Sequence, residues 1–394
     1  MFRLQIKNII LVVFPLCIIF FLIAADKGVL NFGKNNISEG DTQLSQYHDN
    51  SSGYIEDDLG IYGDALPSAS PTPSLSISGP LYSATPTRSV SASVSRHNKS
   101  REFGVWVWTP PDQLSNDQMR EIIKQVSESN FNVIYLTIDS YLEINSLPDS
   151  HDKNVRKSSY TNSLASFISL AKDKNIAVDA EAGWRDWAEP AGRFKAYAIF
   201  DYVEEYNRAK PNQRLRGLQY DVEVYLLSNY DDDKISVLSN FVELVDTLSE
   251  KNRGKLLRLS FVIPHFYDSL QGWTPAIDFN GETNFVFNQI LRSLDKLDQA
   301  SVILMSYRNF AEGDNGTIQI SRQEMIDASR GYRTKVIVAQ EVGDVDPDYV
   351  TFFNTSEKYL FDEIEKVELK FSEFTGFGGI SIHYLDPFLD LRNQ

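Results

Sequence analysis

The segment with the clearest chemical meaning holds two acidic residues separated by one position. Residues 217–225 read Gly-Leu-Gln-Tyr-Asp-Val-Glu-Val-Tyr, which places Asp221 two residues before Glu223. Alternate side chains of a β-strand lie on one face, so both carboxylates are expected to point the same way. Burying two adjacent carboxylates costs free energy unless one keeps its proton, which is the state that a general acid requires. The alternative is a structural pair that is salt-bridged to Arg185 or Arg216.

The elements around this segment alternate between strand and helix. Apolar runs predict strands at Phe103–Trp108, Val133–Ile138, Ile176–Glu181, Gly217–Val224, Leu256–Ile263, Val302–Tyr307, Lys335–Gln340 and Gly379–Tyr384. Amphipathic stretches predict helices at Ser115–Ser127, Asn162–Lys172, Lys234–Lys251, Asn284–Asp298, Arg322–Gly331 and Tyr349–Phe371, with capping boxes at Ser115/Gln118 and Ser321/Glu324. This alternation predicts an α/β fold, a (β/α)₈ TIM barrel over residues 101–394. A doubly wound open sheet is the rival, but Trp108-Thr-Pro-Pro111 follows the first strand in place of a glycine-rich phosphate turn.

In such a barrel the active site lies at the carboxyl ends of the strands. Residues near these predicted ends are mostly acidic or aromatic: Trp108, Asp139, Asp179, Glu181, Trp184, Trp187, Asp221, Glu223, His265, Tyr267, Tyr307, Arg308, Glu341, His383 and Asp386. Aromatic faces stack on sugar rings, and carboxylates bind hydroxyl groups and perform acid–base chemistry. The catalytic candidates are Glu223, Asp221 and Glu341. The substrate-binding candidates are Trp108, Glu181, Trp184, Tyr307, His383 and Asp386.

Three of these segments resemble chitinase-type (family 18) glycoside hydrolases. Gly217–Glu223 is similar to that family's fourth-strand signature, which ends in Asp-x-Glu. Met305-Ser-Tyr307 resembles its sixth-strand Met-x-Tyr, and Gly378–Asp386 resembles its eighth-strand Gly-Gly-x-x-x-Trp-x-x-Asp. The resemblance implies that Glu223 is the acid/base and that Asp221 orients an acetamido group of the substrate.

The same segments depart from the family pattern at several positions. Gln219 stands where the signature has a further Asp, and Arg216 stands where it usually begins with one. Arg308 replaces the Asp after the sixth-strand Tyr, and His383 replaces the tryptophan of the eighth strand. These departures argue against substrate-assisted hydrolysis of an N-acetylhexosamine.

A second mechanism uses carboxylates on two different strands. Retaining glycosidases of the large barrel clan place the acid/base on strand four and the nucleophile on strand seven, where Glu223 and Glu341 stand here. The two carboxylates lie ~5 Å apart in retaining enzymes and ~6.5–9.5 Å apart in inverting ones. That clan has Asn before the acid/base, whereas this chain has Val222. The sequence leaves open whether Glu223 acts with Glu341 or with Asp221.

Composition limits the partners. Lys and Arg number 38 against 54 Asp and Glu, so the formal net charge is −16, and binding to nucleic acid is not expected. The one cysteine excludes an intramolecular disulfide framework and a cysteine-built zinc site. Barrel metallohydrolases usually carry His-x-His on the first strand, but this strand reads Gly104-Val-Trp-Val-Trp108, so neither metal nor another cofactor is expected. A weaker reading has His265 and His383 ligate a metal with Asp221 or Glu181.

The first hundred residues predict delivery to a membrane. Arg3 and Lys7 precede an uncharged apolar run that ends at Asp26, so residues 1–27 are expected to be a signal-anchor or a cleaved signal peptide. Residues 28–100 are rich in Ser, Thr and Pro and predict a disordered linker. The barrel is then membrane-anchored outside the cytoplasm, or secreted if the signal is cleaved. Together these features predict an extracytoplasmic glycoside hydrolase acting on a polysaccharide or glycan; the alternative is a catalytically inactive carbohydrate-binding barrel.

Overall fold

The computed structural model describes residues 101–268 and 272–392. The predicted signal or anchor at residues 1–27 and the predicted linker at residues 28–100 lie outside the described residues. Within the described ranges, no helix is both long and apolar enough to cross a membrane.

Eight parallel strands close into a barrel, which confirms the predicted fold. The strands in chain order are β1 (Glu102–Val107), β2 (Val133–Thr137), β3 (Ala177–Ala182), β4 (Gly217–Asp221), β5 (Arg258–Pro264), β6 (Ile277–Phe279), β7 (Glu282–Asn284), β8 (Ala300–Met305), β9 (Lys335–Glu341) and β10 (Phe377–His383). β6 and β7 form a separate antiparallel ribbon, and the other strands pair in chain order until β10 pairs with β1.

Helices surround this barrel. They are α1 (Asn116–Glu128), α2 (Tyr141–Ser146), α3 (His151–Asp173), α4 (Arg193–Ala209), α5 (Lys234–Asn252), α6 (Val286–Leu294), α7 (Thr317–Ile320), α8 (Arg322–Ala328), α9 (Glu357–Phe371) and α10 (Leu385–Arg392). α4 is absent from the predicted set, because its apolar positions are interspersed with Tyr, Arg and Glu and the sequence pattern is weak there.

Strand side chains alternate between two apolar cores. Leu218 and Tyr220 of β4 are fully buried in the larger core, which the strands share with the helices. A smaller cluster that includes Trp106 and Ile303 fills the barrel interior. The Trp106 indole N–H donates to Gln219 Oε1 at 2.7 Å, so β1 and β4 are joined across the interior by a buried hydrogen bond. The residues of β4 that face inward therefore end at Asp221.

The amino ends of the strands carry a buried charge network. Arg216 binds Asp179 through Nε at 2.8 Å, and Arg216 and Arg258 both contact Glu102. Although burial alone would raise the pKa of Glu102, the two guanidinium groups lower it to about 2. Asp179 thus lies at the end of the barrel opposite the predicted cleft, and the prediction that it stands at a carboxyl end is wrong. The register of β3 against β4 places Asp179 opposite Gly217, next to Arg216, and strand alternation alone does not reveal this contact.

One of the two predicted capping boxes is present. At α1, Ser115 and Gln118 exchange side-chain and backbone hydrogen bonds as predicted. At α8, Ser321 Oγ instead lies 2.7 Å from both Ser306 Oγ and the carbonyl oxygen of Thr317, and Glu324 is fully buried. The second box is wrong because α7 (Thr317–Ile320) runs directly into Ser321, whose backbone is already helical.

Candidate active site

Acidic side chains meet at the carboxyl end of the barrel. Asp221 and Glu341 are the last residues of β4 and β9, and Glu181 lies near the end of β3. Asp139 follows β2, and Glu223 follows β4 after a tight turn in which the N–H of residue 224 donates to the carbonyl of residue 222 at 3.0 Å. β4 therefore ends three residues earlier than predicted. The two carboxyl groups on this segment still interact, and the negative charge of Asp221 raises the pKa of Glu223.

Burial raises the pKa of four of these carboxyl groups. Loss of hydration is the largest cause in each case: it raises the pKa of Asp139 to about 7 and that of Asp221 to about 6, and it raises the pKa of Glu181 and Glu223 well above the usual range. The negative charge of Asp221 adds to the shift of the other three. Among the described residues, Asp139 Oδ1, Asp221 Oδ1 and Glu181 Oε2 are shielded from water and have no hydrogen-bond partner. Unpaired titratable groups concentrated in one place are typical of functional sites.

The position of Gly183 explains how two of these carboxyl groups come together. A Cβ atom at Gly183 would lie 1.9 Å from the carbonyl oxygen of Asp221, so only glycine permits the end of β3 to approach β4 this closely. The Gly183 N–H also donates to the Asp139 carboxyl group. Gly183 thus allows the segment after β3 to contact both Asp139, which follows β2, and Asp221 at the end of β4.

A cavity of about 190 Å³ opens among the ends of β4, β5, β8 and β9. Its polar lining consists of Glu223, Tyr225, His265, Tyr307, Arg308 and Glu341. Glu223 and Glu341, which the sequence places on different strands, therefore line one cavity. The volume is below the ~300 Å³ at the small end of drug-sized pockets, and it suits a subsite for one small group.

Glu223 is held by one neutral partner. The Tyr225 hydroxyl donates to Glu223 Oε1 at 2.6 Å, and the Tyr225 ring packs edge-on against Phe266. This hydrogen bond lowers the pKa of Glu223, but loss of hydration outweighs it. The alternative that Asp221 and Glu223 are salt-bridged to Arg185 or Arg216 is wrong: within the described chain neither carboxylate forms an ion pair with either arginine.

Glu341 has a different environment. Its Oε1 accepts the backbone N–H groups of Val342 at 2.8 Å and Gly343 at 2.6 Å. Its Oε2 lies 2.6 Å from His383 Nδ1, because the register of β9 and β10 places the two residues side by side. A carboxylate can only accept, so Nδ1 carries the hydrogen of this contact. Glu341 is therefore an oriented carboxylate that fixes the tautomer of His383.

Aromatic rings enclose His383. Trp106 and Trp108 meet the imidazole edge-on, each with ring centroids 5.6 Å away, and Tyr307 is nearly parallel to it at 6.1 Å. Two of the predicted substrate-binding residues, Trp108 and Tyr307, are half-buried here, and Tyr307 also lines the cavity. This wall presents ring faces and edges next to the two acidic groups of the cavity.

The other predicted substrate-binding residues are spread more widely. Trp184 is 42% exposed beyond the end of β3, and the Arg185 guanidinium lies 5.3 Å from its ring centroid. Trp187 is buried in the core shared by strands and helices. Glu181 belongs to the buried acidic group, whereas Asp386 is exposed in the first turn of α10 and does not line the cavity.

Some cavity residues are not in the predicted site. Tyr225 is one; it lies two residues after Glu223, and the same spacing that identifies Asp221 could have identified it. Burial and the positive charge of Arg308 lower the pKa of His265 to about 3, so this imidazole is neutral. Trp273 is 51% exposed with its ring 6.2 Å from His265, at the rim of the cavity. In the described part of the chain, no group of three or more His, Cys, Asp or Glu is arranged to hold a metal ion.

No family model and no curated protein matches the sequence. Solved structures with similar folds include the endo-1,4-β-mannanase from Rhizomucor miehei, with 9% identity, 72% of this chain and 86% of that chain covered, and a TM-score of 0.46. The GH20 catalytic modules of the pneumococcal exo-β-D-N-acetylglucosaminidase have 12% identity, with 73% of this chain and 78% of that chain covered and a TM-score of 0.44. D-psicose 3-epimerase has 12% identity, with 72% of this chain and 84% of that chain covered and a TM-score of 0.41. Glycoside hydrolases are thus among the structural neighbours, as is a sugar epimerase. Because these three TM-scores are below 0.5, no activity transfers from these structures to this chain, and membership of family 18 is not shown.

Proposed function

We propose that this protein is a glycoside hydrolase that cleaves a polysaccharide or glycan by carboxylate acid–base catalysis. The observation that carries the proposal is the position of Glu223 and Glu341 on one cavity, with neither carboxylate paired to an arginine among the described residues. Hydrolysis of a glycosidic bond needs two carboxyl groups in different protonation states, one to protonate the leaving oxygen and one to act as nucleophile or base.

Glu223 is the general acid in this proposal. Its raised pKa, caused first by loss of hydration and then by the charge of Asp221, keeps the proton in the pH range where an acid is needed. Tyr225 donates to Oε1 and thereby leaves Oε2 as the oxygen that carries the proton. The carboxyl group is thus both protonated and oriented into the cavity.

The second carboxylate is Glu341. It lines the same cavity as Glu223, whereas Asp221 does not. The N–H groups of Val342, Gly343 and His383 hold Glu341 in one orientation, as a nucleophile or base requires. Asp221 then acts through its charge, by maintaining the proton on Glu223. A mechanism centred on Asp221 and Glu223 is the competitor within the same activity.

Exposed tryptophans support a sugar as the substrate. Trp184 and Trp273 are large apolar side chains that are 42% and 51% exposed on the carboxyl side of the barrel. Exposed rings beside a cleft that holds carboxylates suit stacking against pyranose C–H surfaces. A carbohydrate-binding protein without catalysis is the second candidate, and the N–H donors that already contact both Glu341 oxygens favour it.

A panel of polysaccharides tested with the full chain separates these possibilities. On any substrate that is cleaved, Glu223→Gln should lower kcat by ~10²–10⁴-fold with binding retained, because the shape stays and the proton donor is lost. Glu341→Gln should cause a comparable loss if Glu341 is the second carboxylate. Glu143→Gln, which removes an exposed carboxylate of α2, is the matched control and should leave the rate unchanged.

Two results would contradict this assignment. Full activity of Glu223→Gln on a confirmed substrate would remove Glu223 as the acid, and Glu181 would be tested next. A normal rate for Glu341→Gln with a severe loss for Asp221→Asn would move the chemistry to the Asp221/Glu223 pair. Binding of glycans without cleavage by the wild-type chain would favour the carbohydrate-binding candidate.

The location of the barrel is part of the proposal. The basic residues before the apolar run within residues 1–27, and the Ser/Thr/Pro-rich composition of residues 28–100, support a barrel that is tethered to a membrane and lies outside the cytoplasm. Such a location would give the cleft access to extracellular polysaccharide. Fractionation of the full chain between membrane and medium tests the tether.

A further inference from the structure

Arg308 is a buried cation at the wall of the cavity. It lies just after β8 and is 9% exposed. One terminal nitrogen donates to the backbone carbonyl of Tyr307 at 2.6 Å, and the other donates to Asn315 Oδ1 at 3.1 Å. The guanidinium carbon lies 5.3 Å from the ring centroid of Tyr349. These neutral contacts fix the orientation of the guanidinium group but do not neutralise its charge.

The charge of Arg308 is not balanced by an acidic partner in the described chain. Other enclosed arginines are paired: Arg193 with Glu243, and Arg216 with Asp179. Arg308 forms no ion pair with any described residue, and its Nε is shielded from solvent with no hydrogen-bond partner there. Burial lowers the pKa of Arg308 from its ordinary value, which is the direction expected for a cation that loses hydration without a partner. A buried unpaired charge is costly, and an anionic ligand beside it would offset that cost.

The rest of the cavity does not supply that partner. Glu223 retains its proton because burial raises its pKa, and His265 is neutral with a pKa of about 3. Glu341 is the other acidic group of the lining, but its oxygens are already engaged by His383 and by two backbone N–H groups. The cavity is therefore lined by one cation, Arg308, that has no acidic partner among the described residues and lies beside the group proposed as the acid.

We infer that the sugar bound in this cavity carries an anionic group, and that Arg308 binds it. This inference rests on the proposed function of the same site. A planar guanidinium group carries paired N–H donors that match the two oxygens of a carboxylate, so a uronic acid residue is the substrate class that fits best. A sulfate ester offers the same acceptor chemistry and is distinguished by experiment. The small volume limits the bound group to a single sugar unit with its acidic substituent.

Binding measurements on the full chain test the inference directly. Isothermal titration calorimetry would compare D-galacturonate and D-glucuronate with D-glucose as the neutral counterpart and with glucose 6-sulfate. The wild-type chain should bind one of the anionic sugars at least about tenfold more tightly than glucose, since a hydrogen bond to a charged group contributes about that much or more. Preference for glucose 6-sulfate over both uronates supports the inference and assigns the anion to a sulfate ester.

Variants then assign the preference to Arg308. Arg308→Gln should abolish it, with a loss of about 10–100-fold for the anionic sugar and little change for glucose. Arg308→Lys keeps the charge without the planar donor edge and should retain only part of it. Arg322→Gln removes an exposed arginine of α8 as a matched control and should bind like the wild type. If Arg308→Gln does not fold, as judged by circular dichroism, the wild-type preference and the Arg308→Lys variant still decide the question.

The opposing outcomes are distinct from those that test hydrolysis. Equal binding of glucose and all anionic sugars by the wild type overturns the inference, as does an anionic preference that survives in Arg308→Gln. If neutral glycans are cleaved with dependence on Glu223 and no anionic preference exists, the hydrolase proposal stands while this inference fails. If the anionic preference depends on Arg308 but no glycan is cleaved, the inference stands and the hydrolase proposal fails.

Discussion

Replacement of Asp139 by asparagine should stabilise the folded protein at neutral and alkaline pH. An aspartate in the unfolded chain titrates near ~3.9, whereas the pKa of Asp139 in the fold is about 7. The folded state therefore holds the proton more tightly. Its stabilising contribution is complete below pH ~4 and is lost as the pH rises through about 7. Three pKa units correspond to about 4 kcal/mol, and the Asp139→Asn variant would avoid this loss because an asparagine side chain does not titrate.

The realised gain should be somewhat smaller than this value. The carboxyl group of Asp221 titrates beside Asp139, so part of the ionisation cost belongs to the pair and we expect about 2–4 kcal/mol at pH 8. Asparagine can keep the hydrogen bond from the Gly183 N–H, because its amide oxygen accepts as the carboxyl oxygen does. At pH 4.5 both carboxyl groups are largely neutral in the fold, and the variant should differ little from the wild type.

Thermal and urea unfolding of the full chain between pH 4.5 and 8 measures this difference. Asp179→Asn is the contrasting variant: it also removes a buried carboxylate, but one that pairs with Arg216, and it should cost about 3–5 kcal/mol. The reasoning would be refuted if Asp139→Asn destabilised the protein at pH 8. It would also fail if the difference between variant and wild type were the same at pH 4.5 and pH 8.

Two further predictions concern the rim of the site. Trp184→Ala should weaken oligosaccharide binding in titrations while the melting temperature changes little, because the ring is 42% exposed; a loss of about 3–5 kcal/mol in unfolding free energy would instead mark a core residue. Gly183→Ala should lower both the melting temperature and the rate on a confirmed substrate, since its Cβ would overlap the Asp221 carbonyl oxygen, and unchanged values of both would show that the segment can move aside.

The fold was predictable because each barrel strand carries its own local signal. The strands are buried on both faces and rich in apolar residues, as parallel strands covered by helices usually are, and this made all eight visible in the sequence. α4 was not visible, since its buried face includes Tyr202, Tyr206 and Asn207, which do not stand out as an apolar stripe. The start of α8 after Ser321 was predictable, but the Ser321/Glu324 spacing does not form a capping box, because Glu324 is a buried side chain.

The sequence predicted those site residues whose position depends only on where a strand ends, and not the contacts that depend on how neighbouring strands are aligned. Strand ends identified Asp221, Glu223 and Glu341, because the barrel brings all carboxyl ends to one rim. The contact between His383 and Glu341 depends on the register of β9 against β10, which no local pattern specifies. Asp179 shows the reverse case: it has the right residue type and the right strand, but its depth in the barrel places it at the amino end, against Arg216.

Two positions at which this chain differs from the chitinase-type pattern, Gln219 and His383, both contact Trp106 in the structure. Gln219, which replaces an acidic residue of that signature, accepts the indole N–H of Trp106 inside the barrel, so an uncharged acceptor is what this position requires. His383, which replaces a tryptophan, is packed edge-on against the same Trp106 and donates to Glu341. A tryptophan at position 383 would have no Nδ1–H to offer this carboxylate. Gln219 and His383 therefore both contact Trp106, and the polar contacts of the site extend through Glu341 to β9 and β10 as well as β4.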